Sequence, residues 1–301
     1  MGITESDARE TEERLARSFE ANRPRLLRVA YTMTGSLAEA EDCVQEAWLR
    51  LRGLPDPAVV RDLAAWLTTT VSRLALDALN SARARREQYV GTWLPEPLVE
   101  DRSRDPADRV TLDESVSMAL LVVLERLSPA ERTAFVLHDV FGVPFREIAG
   151  IVGRSPAAVR QLASRARRQV EGGRPRRPVT EAQQRELIDA FLAACQGGDL
   201  PGLIALLDRD IVLRGDGGGK VATLQHAERG AARVAPMMIA RAREGGPLDI
   251  VLTQVNGAPG LVFRSSDGEL SVMAFTVDAG LITAIDIVRN PDKLAKVPDL
   301  A

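Results

Sequence analysis

The chain has 301 residues, 45% of them hydrophobic and 27% charged, a size and balance that call for two or three folded domains and exclude a largely disordered protein. The formal net charge of −3 excludes a uniformly basic chain, yet the charge is uneven: residues 1–178 carry 27 basic and 26 acidic side chains, and residues 179–301 carry 12 and 16. Arg154–Arg177 holds eight arginines against one acid, Glu171. A patch of that sign attracts phosphate. Only three of the 39 basic residues are lysines, a bias that genomic base composition also produces.

Met1–Glu20 is polar and charged and lacks the apolar stretch of a secretory signal. The longest apolar run, Met118–Leu124, is too short to cross a bilayer. A soluble, cytoplasmic protein with no membrane partner is therefore expected. Cys43 and Cys195 lie far apart in helix-like segments, which favours two buried thiols over a disulfide or a metal site.

In chain order, residues 15–87 read as helices. Residues 88–110 form a linker rich in Pro, Asp and Arg. Residues 111–171 are helical again, and Gly172–Pro178 breaks the chain as a second linker reaching to residue 180. Beyond it, helical stretches at Glu181–Cys195, Leu200–Leu207 and Ala231–Arg243 mix with strand-like runs. The runs are Ile211–Arg214, Asp249–Val255, Gly260–Arg264, Leu270–Val277 and Ile282–Val288, several ending in turns such as Asp267-Gly268 and Ala279-Gly280. The expected fold is two all-α modules, residues 15–87 and 111–171, followed by an α+β domain, 181–301, with an antiparallel sheet.

In the first module Leu37, Ala40, Val44, Ala47, Trp48 and Leu51 make one apolar helical stripe. Asp42, Gln45, Glu46 and Leu49 fall on a second face, which on spacing alone is a solvated acidic surface. The following helix, from Trp66, buries Leu67, Thr70, Val71, Leu74, Ala75 and Ala78. Arg73, Asp77, Asn80, Arg83, Arg85 and Arg86 are left facing outward.

Phe145–Arg168 has the pattern of a helix-turn-helix: Ala149 at the helix crossing, Gly153 in the turn, then Val159, Leu162 and Ala166 as anchors. Ser155-Pro156 is an N-cap followed by proline in the first helical turn. The outward face of the second helix carries Arg160, Gln161, Ser164, Arg165 and Arg168. Arginine and glutamine can read base edges bidentately, and the remaining arginines neutralise phosphate. A helical hairpin with a basic surface is the bland alternative.

Three short motifs lie outside the helical modules. Trp93–Pro97 (WLPEP) is a stiff, extended linker on its prolines alone, but its exposed-position tryptophan asks for a pocket. Asp216–Lys220 (DGGGK) is a glycine loop without P-loop spacing, since Val221 follows the lysine. Asn290–Leu294 (NPDKL) reads by itself as a C-terminal cap.

The stretch AEAEDCVQEAWLRL (38–51) closely resembles region 2.2 of bacterial sigma factors, and WLTTTVSRLALDALNSARARRE (66–87) is similar to regions 2.3 and 2.4. Residues 124–170 resemble sigma region 4 along their whole length. Region 3 has no counterpart, as in the extracytoplasmic-function type. The resemblance implies that Asp42, Gln45, Glu46 and Leu49 touch core RNA polymerase. It further implies that Arg73, Asn80, Arg83 and Arg86 approach the −10 element of promoter DNA, and that Arg160, Gln161, Ser164, Arg165 and Arg168 approach the −35 element. Asn80 stands where many members carry Arg or Lys.

The three motifs together resemble the sigma factor subgroup with a fused SnoaL-like (NTF2-like) cone. This implies an intramolecular contact system of Trp93 and Pro95, of Asp216, Gly217, Gly218, Gly219 and Lys220, and of Asn290, Pro291, Asp292, Lys293 and Leu294. SnoaL itself is a cyclase using an acid and a histidine. Here Asp216 and His226 are the candidates, and His226 sits among Gln225, Glu228 and Arg229, as a surface histidine does. No catalytic residue, cofactor or metal is expected, and the cone is read as a modulator open to an unidentified small molecule. A bifunctional cyclase- or isomerase-type enzyme is the alternative.

Overall fold

The computed structural model describes residues 5–56, 59–86, 89–100, 116–173, 175, 177–244, 249–265 and 268–298, with side chains for all of these except 5–11 and 83–86. They form two compact bodies, one of Met1–Ala82 with Leu127–Arg168 and the other of Arg83–Arg126 with Gln169–Ala301. No helix among the described residues is long and apolar enough to cross a membrane.

The first body begins with α1 (Glu5–Thr34), which starts ten residues earlier than the periodicity indicates. Helix α2 (Leu37–Arg52) opens on Ser36, whose side chain accepts from the Glu39 N–H at 3.3 Å. It buries Leu37, Ala40, Cys43, Val44, Ala47 and Leu51, while Trp48 packs on Phe19 of α1 with ring centroids 4.8 Å apart. Helix α3 (Leu63–Arg86) buries Leu67, Val71, Ala75, Leu79 and Ala82. Thr70, Leu74 and Ala78, expected on the same side, are only half-buried, because the buried row follows the i, i+4 spacing from Leu67.

Helix α4 (Met118–Leu124) belongs to the second body. The first body resumes with α5 (Pro129–Phe135), started by a reciprocal capping box between Ser128 and Glu131. A π-helical turn (Val136–Val140), α6 (Phe145–Val152) and α7 (Pro156–Gly173) follow. The two all-α modules pack together within this body. Arg132 of α5 is 1% exposed and donates to the Thr32 carbonyl of α1 at 3.4 Å. Arg28 of α1 lies 5.8 Å from the centroid of the Phe141 ring.

The second body holds α8 (Glu181–Gly197), α9 (Leu200–Leu206), α10 (Ala231–Glu244) and α11 (Pro291–Leu294) around a six-stranded sheet. Its strands are β1 (Leu207–Asp216), β2 (Glu228–Arg229), β3 (Asp249–Val255), β4 (Ala258–Arg264), β5 (Leu270–Asp278) and β6 (Leu281–Val288), ordered β2-β1-β6-β5-β4-β3. The sheet is mixed rather than antiparallel, since β1 runs parallel to β6. Hairpin signals report neighbours in sequence, and the β3–β6 meander is antiparallel as they indicate. The pairing of β1 joins segments some seventy residues apart, which no local signal encodes.

One face of the sheet packs on α8, α9 and α10 around Ile188, Phe191, Leu203, Val234 and Ile285. This is the cone. The opposite face is covered by the linker and α4, with Leu94, Met118 and Val122 on Val262, Val272 and Val288, and Leu294 beside them.

Candidate nucleic-acid interface and a linker latch

In the helix-turn-helix, Gly153 ends α6 in the left-handed region (φ 69, ψ 38), which costs glycine little. The Ser155 hydroxyl accepts from the Ala158 N–H at 3.2 Å. Helix α7 buries Val159, Ala163, Ala166 and Val170. Leu162, expected as an anchor, is half-buried, and the small Ala163 takes the inner position. Arg160, Gln161, Ser164, Arg165 and Arg168 are all exposed. Arg165 lies 3.1 Å from Glu131, and the Arg160 guanidinium sits 5.8 Å from the Phe145 ring centroid. The Arg165–Glu131 pair joins an exposed guanidinium to a largely buried carboxylate.

On α2, Asp42, Gln45 and Leu49 are exposed, and Glu46 pairs with Arg50 at 2.8 Å. Leu49 is 52% exposed. On α3, Asn80 is exposed, whereas Arg73 donates to the Gly150 carbonyl of α6 at 3.2 Å. The side chains of Arg83 and Arg86 lie outside the described residues.

The three motifs meet in the second body. Asp216, at the end of β1, is fully buried, and its two carboxylate oxygens accept four donors. One oxygen takes the Tyr89 hydroxyl at 2.5 Å and the Gly218 N–H at 3.0 Å. The other takes the Leu94 N–H at 2.8 Å and the Lys293 ammonium at 2.6 Å. A carboxylate has about four acceptor sites, and all are filled.

Lys293 also donates to the Leu94 carbonyl and sits 3.9 Å from the centroid of the Trp93 ring, a cation–π contact. Asn290 donates to the Tyr89 oxygen at 2.9 Å and caps α11. Gly218, at φ 63, lies so close to Asn290 that a methyl there would overlap its amide. Lys220 and Asp292 add an exposed ion pair at 2.7 Å. Pro95 is buried, Pro291 opens α11, and Leu294 is buried on the sheet.

Two residues of this latch escaped the sequence reading. Tyr89 precedes WLPEP by four residues, and nothing in its surroundings marks it. Burial, then its hydrogen bond to Asp216 and the charge of that carboxylate, hold its phenol well above the ordinary range. Asn256 belongs to an Asn-Gly turn joining β3 to β4 (φ 52 and 72). Its backbone N–H donates to the Leu98 carbonyl at 2.8 Å, its side-chain oxygen accepts from the Leu98 N–H at 3.1 Å, and its amide donates to the Val116 carbonyl at 3.4 Å. The turn signal was legible, but the partner 158 residues away was not. With Val99 bridging Val255, the linker covers part of the otherwise open β3 edge.

A cavity of about 950 Å³ lies on the cone side of the sheet. Leu213 and Gly215 line it, whereas Asp216, the next residue on β1, points to the opposite face. His226 is exposed and does not line it. Neither acid–base candidate therefore faces the cavity. Cys195 borders it, with a thiol that burial pushes up to about 12. Among the described residues no group of three His, Cys, Asp or Glu could hold a metal ion.

A helical module, a connector and a helix-turn-helix, in that order, are the parts of a sigma factor that carries regions 2 and 4. Residues 18–85 match Sigma-70 region 2, and residues 117–170 match Sigma-70, region 4. The chain belongs to the extracytoplasmic-function (ECF) RNA polymerase sigma factors. It is 43% identical over 297 residues to the ECF RNA polymerase sigma factor SigJ of Mycobacterium tuberculosis, covering 93% of each chain. It is also 38% identical over 280 residues to the probable ECF sigma factor SigI of that organism, covering 92% of this chain and 93% of SigI. The crystal structure of M. tuberculosis SigJ matches with a TM-score of 0.77 at 40% identity, over 94% of this chain and 99% of that one. The chain acts with core RNA polymerase on promoter DNA to direct transcription initiation. Helix α4, inside the region 4 match, packs on the sheet of the cone domain.

Proposed function

We propose that the cone domain is a built-in brake on this sigma factor, acting by holding the connector between its two promoter-reading modules. The carrying observation is the buried Asp216 carboxylate, which ties Tyr89, Leu94 and Lys293 into one latch.

The physical reasoning is one of reach. Two elements about 25 base pairs apart are roughly 85 Å apart at ~3.4 Å per pair. A compact body of roughly 120 residues has a radius of gyration near 14 Å, so about 35 Å across. Regions 2 and 4 share one such body here, joined by Arg73 to Gly150 and Arg132 to Thr32. They must separate to read both elements. Residues 86–116, between the two matched regions, could span ~100 Å as a free chain at ~3.3 Å per residue. With 89–100 and 116–126 fixed on the sheet, that reach is withheld.

On this reading Asp42, Gln45, Glu46 and Leu49 dock on polymerase. Arg73, Asn80, Arg83 and Arg86 serve the −10 element, and the exposed α7 face serves the −35 element. Tethering on polymerase then supplies affinity through effective concentration.

The test is run-off transcription with core polymerase, comparing the full chain, Asp216→Asn, a chain ending at Arg289, and one ending at Gly172. The first two alterations release the latch and raise promoter-dependent transcript. Ending at Gly172 uncovers Leu94, Met118 and Val122 and lowers it. Equal output from the full chain and both latch alterations overturns the brake.

A further inference from the structure

None of the described residues assigned to the promoter-reading faces or the latch lines the cone cavity, although Gly215 and Arg289, which do line it, adjoin latch residues in the chain. Its walls are apolar, including Phe191, Leu261, Phe263 and three methionines, Met237, Met238 and Met273. Methionines adapt to irregular ligands, and about 950 Å³ lies within the range of sites for drug-sized molecules. Four charged residues line it, Arg241, Glu244, Glu269 and Arg289, and their charges cancel. Arg289, 10% exposed, pairs with Glu269 and donates to the Ala222 carbonyl at 2.5 Å. The rim residues Gln196 and Ala240 are exposed.

We propose that this cavity binds an uncharged amphiphile, its apolar body against the methionine-rich wall and a hydroxyl, carbonyl or amide group at the Arg289–Glu269 pair. The pair offers donor and acceptor together, so a neutral polar group is accommodated without unbalanced charge. A carboxylate or sulfonate in the same place is attracted by Arg289 but repelled by the partly exposed Glu269, so it gains no net charge complementarity there.

The site shares backbone with the latch. Gly215 faces the cavity and Asp216 the latch, and Arg289 faces the cavity while Asn290 holds Tyr89. The N–H groups of both Arg289 and Asn290 donate to the Asp216 carbonyl, at 2.7 and 3.0 Å. Ala222, which Arg289 holds, follows the DGGGK loop. Occupancy of the cavity and closure of the latch are therefore linked, and the linkage is reciprocal. That ligand binding thereby controls transcription rests on the brake reading. Binding and linkage themselves do not.

The experiment is fluorescence titration of the full chain, without polymerase, by two probes on one skeleton: neutral N-phenylnaphthylamine and anionic anilinonaphthalene sulfonate. The neutral probe binds saturably, and about tenfold more tightly than the sulfonate. Ala240→Trp and Gln196→Trp, each narrowing the mouth from an exposed position, weaken it about tenfold. Asp216→Asn shifts its affinity about fivefold or more, the low end of allosteric couplings. No saturable binding, or binding unaltered by both tryptophans, overturns the site. Equal affinity for the two probes overturns the ligand class, and an unshifted affinity in Asp216→Asn overturns the linkage. Failure of the transcription test with success here would sink the brake and leave the site standing.

Discussion

Asp216→Asn is the sharpest single perturbation of the latch. The substitution keeps the shape of the side chain but turns one oxygen into a donor, facing donors that already fill the site, and removes the charge opposite Lys293. Asp216 is 0% exposed and the Lys293 side chain 11%, so solvent restores little. Removing one partner of a buried pair costs about 3–5 kcal/mol, which corresponds to an equilibrium shift of roughly 10²–10⁴-fold. Native-state hydrogen exchange reads that shift directly, because the Leu94 amide is protected by the carboxylate itself, and the Glu100 amide by Gln254 at 3.0 Å. Peptides covering residues 89–100 should exchange faster by that factor, while α1 and α2 keep the rates of the unaltered protein. Exchange of the linker within about threefold of the unaltered protein would show that the carboxylate does not hold it, and the latch would have to be abandoned.

Tyr89→Phe removes one hydrogen bond to a buried carboxylate and should lower linker protection by about 1.5–3 kcal/mol, measured by the same exchange. The pH dependence has a definite sign. Because the folded-state phenol lies above its ordinary 10.0, its contribution is complete below pH 10 and falls as pH rises further, a loss visible in a pH series of linker exchange and missing from Tyr89→Phe. Leu49→Glu, at a half-exposed position, should leave the melting temperature nearly unchanged but reduce co-purification with core polymerase. Gln161→Ala should cost about 1–3 kcal/mol at one base position of the −35 element, whereas Arg168→Ala should weaken binding at all sequences and flatten the salt dependence by about one unit of slope, both read from promoter binding by the polymerase complex.

The helical half of the protein was legible because its signals are local. Ser36, the Ser128–Glu131 box, Gly153 and Ser155-Pro156 each act within one turn of chain. The i, i+4 rows of α2 and α7 need no distant partner, although Ala163 rather than Leu162 took the inner place. The exposure of Arg160, Arg165 and Arg168 on α7 was legible because a charged face on one helix is a property of spacing alone.

Tertiary structure decided what those local elements do to one another. That WLPEP, DGGGK and NPDKL belong together came from resemblance, but only the fold brings Tyr89 and Asn256 into the same contact system, across 127 and 158 residues of chain. The parallel pairing of β1 with β6, the joining of Arg73 to Gly150, and the placing of Gly215 and Asp216 on opposite faces are likewise non-local. A sequence records which side chains a segment offers. Which buried carboxylate ends up facing which ammonium depends on how the sheet closes, since burial and charge pairing are properties of the folded surroundings and not of the segment.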